Sequence, residues 1–371
     1  MSSGKRIVVV GGGAAGSQIA KSLSQQLSDG SSITLIEARE YYPHYIGSLR
    51  AVVTEEGGLE DKVLIPLDKL FTKDNGRVVH ETVASISANA GGNGGNVVTS
   101  NGATYPYDVL VVATGNTWDG PLAFPNTRSE TVSHINKWRK QFRDANGIAI
   151  VGGGPVGCEL AGELRDVYKD KAITIVQRET RLLSAAYPEK YRRYVDQRWT
   201  ERGITLITDD EVPTISAYPA THAMTKKGVS LNADLIVPCW GGRPNTDFLK
   251  SLGNNVLTSR GHVRVDQHLQ IDGMRGIFAA GDIIDWDEVK QAVKYTAHTT
   301  TIVTNIKRLV SNSAPTAVYK SPSEVILLTN GVNGGAAYLG LLWGIVFGDW
   351  FVKMAKSKDL FITMTRKTLG Y

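Results

Sequence analysis

The sequence predicts an α/β protein of two doubly wound units, the second inserted in the first, followed by a small α+β domain. Three observations carry this expectation. A glycine turn separates an apolar, β-branched run from a helical pattern near the start; the same arrangement recurs from Gly147; and a short apolar run ending in Gly281-Asp282 returns to the first unit from far downstream.

In the opening unit, Ile7 to Val10 feed into Gly11, Gly12, Gly13 and Gly16, a helical pattern runs through Ile19, Ala20 and Leu23, and a second strand-like run spans Ile33 to Ile36. This is strand, phosphate turn, helix, strand. The turn asks for glycine because the backbone must fold tightly and let a pyrophosphate approach a helix N-terminus, where free N–H groups and the helix dipole favour an anion. Gly11, Gly13, Ala14, Ala15 and Gly16 are therefore expected to hold a dinucleotide's phosphates. Glu37, about 20 residues past the turn, is placed to accept ribose hydroxyls.

The next stretch, Arg39 to Val53, is aromatic and polar, with helical spacing resuming near Leu49. It is expected over the C-terminal edge of the sheet, where Tyr41, Tyr42 and Tyr45 either line the reactive end of a cofactor or pack the loop. Val78 to Tyr107 reads as a β-meander with a Gly- and Asn-rich tip at Asn89 to Asn96. Tyr107 to Gly115 is another buried strand, and Ala113, Thr114 and Gly115 bring backbone donors to the ligand edge.

Gly147 to Arg178 repeats the opening unit, with Gly152, Gly154, Pro155, Val156 and Gly157 in the phosphate turn. Two copies imply two dinucleotides. Where the first copy has Glu37, the second has Gln177 followed by Arg178. An amide and a guanidinium accept a 2′-phosphate that a carboxylate would repel, so NADPH use is expected, with NADH tolerated. Leu231 to Asn245 leaves this unit through a turn containing Gly242. Gly276 to Asp282 then supplies a strand whose Asp282 can bond a sugar-like hydroxyl, ahead of a helix expected to begin near Val289. The expected boundaries are 1–117 with 255–315 for the first unit, 118–254 for the inserted one and 316–371 for the last domain.

The 371 residues carry a formal charge of +5 with no long basic run, which does not point to nucleic acid. Cys158 and Cys239 form no CxxC pair, so a thiol relay is excluded and both read as buried small residues. No metal site is expected, and a homodimer is left open. The chain enters its first strand almost at once and carries Ser2 rather than a myristoylatable glycine. The expectation is a cytoplasmic protein, or one peripheral on a cytosol-facing membrane such as the mitochondrial outer membrane or a lipid droplet.

Near the end, Gly334 to Gly348 is uncharged and apolar but shorter than the ~20 residues needed to span a bilayer. Trp343, Trp350 and Phe351 beside Lys353, Lys356 and Lys358 read either as an interfacial patch or as a core element.

GGGAAG with Glu37, YDVLVVATG, IVGGGPVGCELAGEL and IFAAGD, in that order, resemble the flavoproteins with two dinucleotide-binding domains. Within them, the ending KSKDLFITMTRKT is similar to that of the apoptosis-inducing factor, mitochondrion-associated 2 group, also called ferroptosis suppressor proteins. The resemblance runs essentially the whole length. It implies Rossmann-like domains holding FAD and then NADPH or NADH, and reduction of ubiquinone at membranes. By the same resemblance Gly11, Gly13, Gly16 and Glu37 bind FAD, Asp282 holds its ribityl chain, and Gly152, Gly154 and Gly157 bind the nicotinamide dinucleotide. Glu159 matches a glutamate near the nicotinamide, Lys290 and His298 fall in a segment approaching the flavin, and Lys356 matches a lysine near the flavin and quinone. Glu159 and Lys356 are each expected to be catalytic, and Trp343, Phe347, Trp350 and Phe351 are the expected apolar quinone lining. The group's animal members carry a myristoylated second glycine, so Ser2 leaves membrane contact to the C-terminal segment. Two other readings stay open: a reductase of an iron–sulfur protein or a dehydroascorbate radical, and an apoptosis-related effector that binds nucleic acid.

Overall fold

Burial on both faces explains why the β-branched runs form parallel strands rather than helices. In the computed structural model, which describes residues 4–89, 94–213, 220–341 and 344–371, five parallel strands lie in the order Ile277–Ala279, Val109–Val112, Arg6–Val10, Ser32–Ile36 and Gly76–Val79. Val10 stands opposite Ile36 on one side and Val112 on the other. The first unit is thus completed by a strand that follows the whole inserted segment. Sequence alone began the meander at Val78, but Val78 and Val79 belong to Gly76–Val79, which pairs in parallel with Ser32–Ile36. The antiparallel meander is confined to Val83–Ala88, Gly95–Thr99 and Thr104–Tyr107, and half of the expected Gly- and Asn-rich tip lies outside the described residues.

A second parallel sheet repeats the plan with four strands, Ile204–Thr208, Ala172–Gln177, Gly147–Val151 and Leu235–Pro238. Helices Ala14–Gln26 and Pro155–Val167 each leave the glycine turn of their own sheet. Chain passes between the units through Asn116–Thr117 and Arg243–Pro244, which pair antiparallel.

The C-terminal residues form a three-stranded antiparallel sheet, Val325–Thr329, Gly335–Leu339 and Ile345–Phe347, then short helical turns and the helix Ile362–Leu369. The sheet docks on the inserted unit. A Cβ at Gly162 would meet the Asn330 backbone at 2.7 Å, and the buried Tyr191 hydroxyl donates to the Ala336 carbonyl at 3.0 Å. The final helix returns to the first unit, where Lys21 donates to the Thr368 carbonyl. The apolar run from Gly334 is therefore mostly sheet, with Ala336 and Ala337 fully buried.

One buried ion pair ties the two units together. Arg50, on helix Tyr45–Ala51, donates from Nε and Nη2 to Glu163 of helix Pro155–Val167 at 2.7 and 2.8 Å. Burial pushes the Glu163 carboxyl up against the pull of Arg50. An Arg50→Met variant strands that carboxylate and is expected to lose about 3–5 kcal/mol of stability, read as a drop in the urea midpoint.

Candidate active site

The two glycine turns match in detail. Gly11 has φ +98° and Gly152 φ +114°, which other residues seldom adopt. An added Cβ would strike the Ala113 carbonyl oxygen at 2.5 Å in the first turn and that of Cys239 at 2.4 Å in the second. At Gly16 and Gly157 a Cβ would lie 1.8 and 2.0 Å from the carbonyl oxygens of Gly11 and Gly152, so those positions pack helix against turn. Gly13 and Gly154 differ in kind: nothing lies within 4 Å of a Cβ at either. Each caps a helix N-terminus with no side-chain hydrogen bond, leaving an open concavity lined by backbone. This fits a pyrophosphate cradle in both units, with Ala14 and Ala15 opening the first helix and Pro155 and Val156 the second.

The acidic and amide positions also correspond. Glu37 is buried, and its Oε2 accepts the Gly12 N–H at 2.5 Å, while Gln177 Oε1 accepts the Gly153 N–H at 2.9 Å. Each side chain is thus fixed beside its cradle by one backbone donor. Glu37 Oε1 also accepts the Arg39 N–H at 3.0 Å. The Arg178 side chain is 78% exposed, with Glu179 at 4.0 Å its one ion-pair partner among the described residues, and can turn toward a ligand.

Asp282 sits in a tight turn, Gly281–Ile283, where the Ile277–Ala279 strand ends beside the first cradle. Its Oδ1 accepts from the Tyr295 hydroxyl at 2.5 Å and its Oδ2 from Asn116 Nδ2 at 2.9 Å. Burial raises its carboxyl above the usual range. Ala113 closes against Gly11, Thr114 donates to the Asn245 carbonyl at 2.6 Å, and Gly115 accepts the Asn245 N–H at 2.9 Å. Thr114 and Gly115 thereby hold the passage between units. Gly242 also packs there, where a Cβ would meet Asn116 at 2.5 Å.

The helix expected near Val289 begins at Tyr295, after a single turn at Ala292–Lys294. The preceding loop is held instead by its side chains. Glu288, 1% exposed, accepts from Tyr319 at 2.6 Å and Ser321 at 2.8 Å, and lies 3.2 Å from His298 Nε2 and 3.6 Å from Lys290. Burial would raise the Glu288 carboxyl, yet the His298, Tyr319 and Ser321 bonds and the Lys290 charge outweigh it and bring it down to about 2. Burial lowers Lys290. Lys294, wholly buried, donates to Glu324 at 2.5 Å. Glu288, Lys294, Tyr295, Tyr319 and Glu324 were not singled out from sequence. Their only sequence signal is three charges close together, Glu288, Lys290 and Lys294, in a segment expected to be helical.

Glu159 and Lys356 meet across 197 residues of sequence. Lys356 Nζ donates to Glu159 Oε1 at 2.6 Å and to the Leu327 carbonyl at 2.8 Å, and the same Glu159 oxygen accepts the Thr329 N–H at 2.9 Å. Both side chains are only 10% exposed. Lys356 lies in one turn of π-helix, Lys353–Ser357, a form frequent at functional sites.

The residues of the expected quinone lining do not share one setting. Trp350 is 75% exposed, because its short helix, Asp349–Val352, docks through the buried Val352 and turns Trp350 outward. Phe347 and Phe351 stack on each other, ring centres 4.4 Å apart, and are half-buried. Trp343 lies outside the described residues. Of the loop tyrosines, Tyr41 is buried with its hydroxyl on the Pro125 carbonyl, and Tyr45 stacks on Phe124. Tyr42 borders a cleft of about 610 Å³ that opens at Ala14 between the first helix, Tyr295–Val310 and the C-terminal helix. Cys158 and Cys239 are both buried, and burial pushes both thiols up, as inert cysteines require.

Comparison with known proteins agrees with this fold. The model of the pyridine nucleotide-disulphide oxidoreductase family matches residues 5–304. An FAD-dependent oxidoreductase of Flammulina velutipes, FVFD30, is 41% identical over 319 residues, covering 86% of this chain and 99% of its own. Ferroptosis suppressor protein 1 of Taeniopygia guttata is 30% identical, covering 98% and 96%. Among solved structures, the sulfide:quinone oxidoreductase of Aquifex aeolicus superposes with a TM-score of 0.77 at 18% identity, over 98% of this chain and 92% of that one.

Proposed function

The chain belongs to the pyridine nucleotide-disulphide oxidoreductase family as an FAD-dependent oxidoreductase, and from that premise we propose that it passes electrons from NADPH to a quinone at a membrane surface. The overall change is NADPH + H⁺ + quinone → NADP⁺ + quinol. The flavin, when bound, supplies the two-electron chemistry, and the chain supplies binding, orientation and charge.

The first cradle, Glu37 and Asp282 form the FAD site in this reading. Glu37 keeps lone pairs for ribose hydroxyls beyond those used on Gly12 and Arg39, and Asp282 is held in place for a polyol chain by Asn116 and Tyr295. The second cradle takes the nicotinamide dinucleotide. Because the Gln177 carbonyl already accepts from Gly153, its NH₂ is left to donate, and with Arg178 it favours a 2′-phosphate. Lys356 and Glu159 connect the second glycine-turn helix to the C-terminal domain and set a cation and its counter-ion in a nearly dry site.

The observation that carries the acceptor is the outer face of that domain. Leu341, Ile345, Trp350 and Met354 are 57, 38, 75 and 64% exposed, close in sequence to the exposed Lys353 and Lys358. Among the described residues no helix is long and apolar enough to cross a membrane. Exposed apolar side chains with lysines near them in sequence suit an anionic lipid surface, where a hydrophobic quinone resides.

The test is initial rates of NADPH and NADH oxidation with a short-chain ubiquinone, with and without anionic liposomes. Quinone-dependent turnover stimulated by the liposomes is expected, with the stimulation lost in Trp350→Ser. Arg178→Ala is expected to erode the NADPH preference about tenfold, as loss of one charge-assisted contact would. Flavin reduced by NADPH yet reoxidised by no quinone would remove the acceptor assignment.

A further inference from the structure

Asp282 can meet a polyol chain only if the backbone beneath it is fixed, and one fully buried imidazole does the fixing. The Gly281 N–H donates to His298 Nδ1 at 3.1 Å. With Nδ1 accepting, the ring proton of neutral His298 sits on Nε2, which faces Glu288 Oε1 at 3.2 Å. Glu288 is held in turn by Tyr319 and Ser321, so a line of contacts runs from the Asp282 turn to the segment leading into the C-terminal domain. Tyr319 also packs its ring edge against His298, centres 4.6 Å apart.

We propose that His298, oriented by Glu288, is a positioning residue that locks the Gly281-Asp282 turn in its FAD-binding shape and releases it when the imidazole takes a second proton. A proton on Nδ1 would face the Gly281 N–H, replacing an acceptor with a second donor. The turn would lose its tether and Asp282 its fixed position. The charged and titratable groups around the ring are Glu288, Asp282 from the turn, Tyr295 from its own helix and Tyr319 from the following segment, with Lys290 and Lys294 behind Glu288. The Gly281 N–H and a second proton would therefore compete for one nitrogen.

This inference rests on the FAD assignment of the first cradle, and the experiment separates the two. The FAD-loaded full chain is diluted into buffers from about pH 8 to about pH 5, and released FAD is read by its fluorescence. Wild type is expected to hold FAD at the upper end and to weaken about tenfold toward the lower, the worth of one hydrogen bond near a buried site. His298→Asn, whose amide oxygen can accept from Gly281 and cannot titrate, should hold FAD without that acid loss. Glu288→Gln, which removes the charge favouring the second proton, should move the loss to lower pH. Retention by wild type at every pH, or the same acid release in His298→Asn, would overturn the proposal while leaving the FAD site standing. Failure of wild type to hold FAD even at the upper end would overturn the FAD assignment and the proposal together.

Discussion

A Gly13→Val variant is expected to fold like the parent and to bind FAD at least about a hundredfold more weakly, a loss near 3 kcal/mol. The reason is the asymmetry among the three turn glycines. The Gly13 backbone, at φ −68° and ψ −168°, is open to any residue, and a Cβ there meets no protein atom within 4 Å. The valine would fill only the space left for phosphate. Gly154→Val, at φ −74° and ψ −178°, should do the same to the second cradle, abolishing reduction by NADPH while FAD stays bound. Gly16→Val serves as the contrast, because its Cβ would overlap the Gly11 carbonyl and the fold itself should suffer. FAD content by absorbance, thermal unfolding and the NADPH-dependent bleaching of the flavin read these outcomes separately. A Gly13→Val protein that unfolds, or one that keeps its FAD, would contradict the cradle assignment.

Lys356→Met is expected to lose about 3–5 kcal/mol of stability, since it leaves Glu159 buried without its cation. Glu159→Gln alone should cost a similar amount by stranding the lysine. The double variant removes both charges and should recover most of that stability, because a buried ion pair contributes little beyond what a neutral pair of similar shape provides. Quinone-dependent turnover should not recover with it if Lys356 and Glu159 serve the reaction. Turnover returning along with stability would reduce the pair to a strut. Urea unfolding and initial rates on the same four proteins form a double-mutant cycle that separates these outcomes.

The opening unit and its repeat were legible because their information is local. A glycine turn, the apolar run before it and the helical spacing after it lie within a few dozen residues, and the structure repeats them down to the backbone bond at Glu37 and Gln177. Even the discontinuity of the first sheet could be read from the run ending at Asp282. What escaped was tertiary. Glu288 acquires its meaning from Tyr319 and Ser321, more than thirty residues away, and no periodicity announces which buried carboxylate will meet which imidazole. The misplaced helix start has the same origin, for the residues between Asp285 and Gln291 serve side-chain bonds that outbid the helix. Trp350 was read for its chemistry, whereas the face it takes was decided by Val352.

The paired strands Asn116–Thr117 and Arg243–Pro244 have a consequence for how such a chain could have arisen and could be rebuilt. The inserted unit leaves and rejoins its host at neighbouring points, so the host sees a long excursion as a short loop. A duplicated copy of the opening unit could enter there without separating the strands on either side of it. By the same geometry the insert behaves as a cartridge, exchangeable for another of different nucleotide preference provided its two ends are clasped side by side.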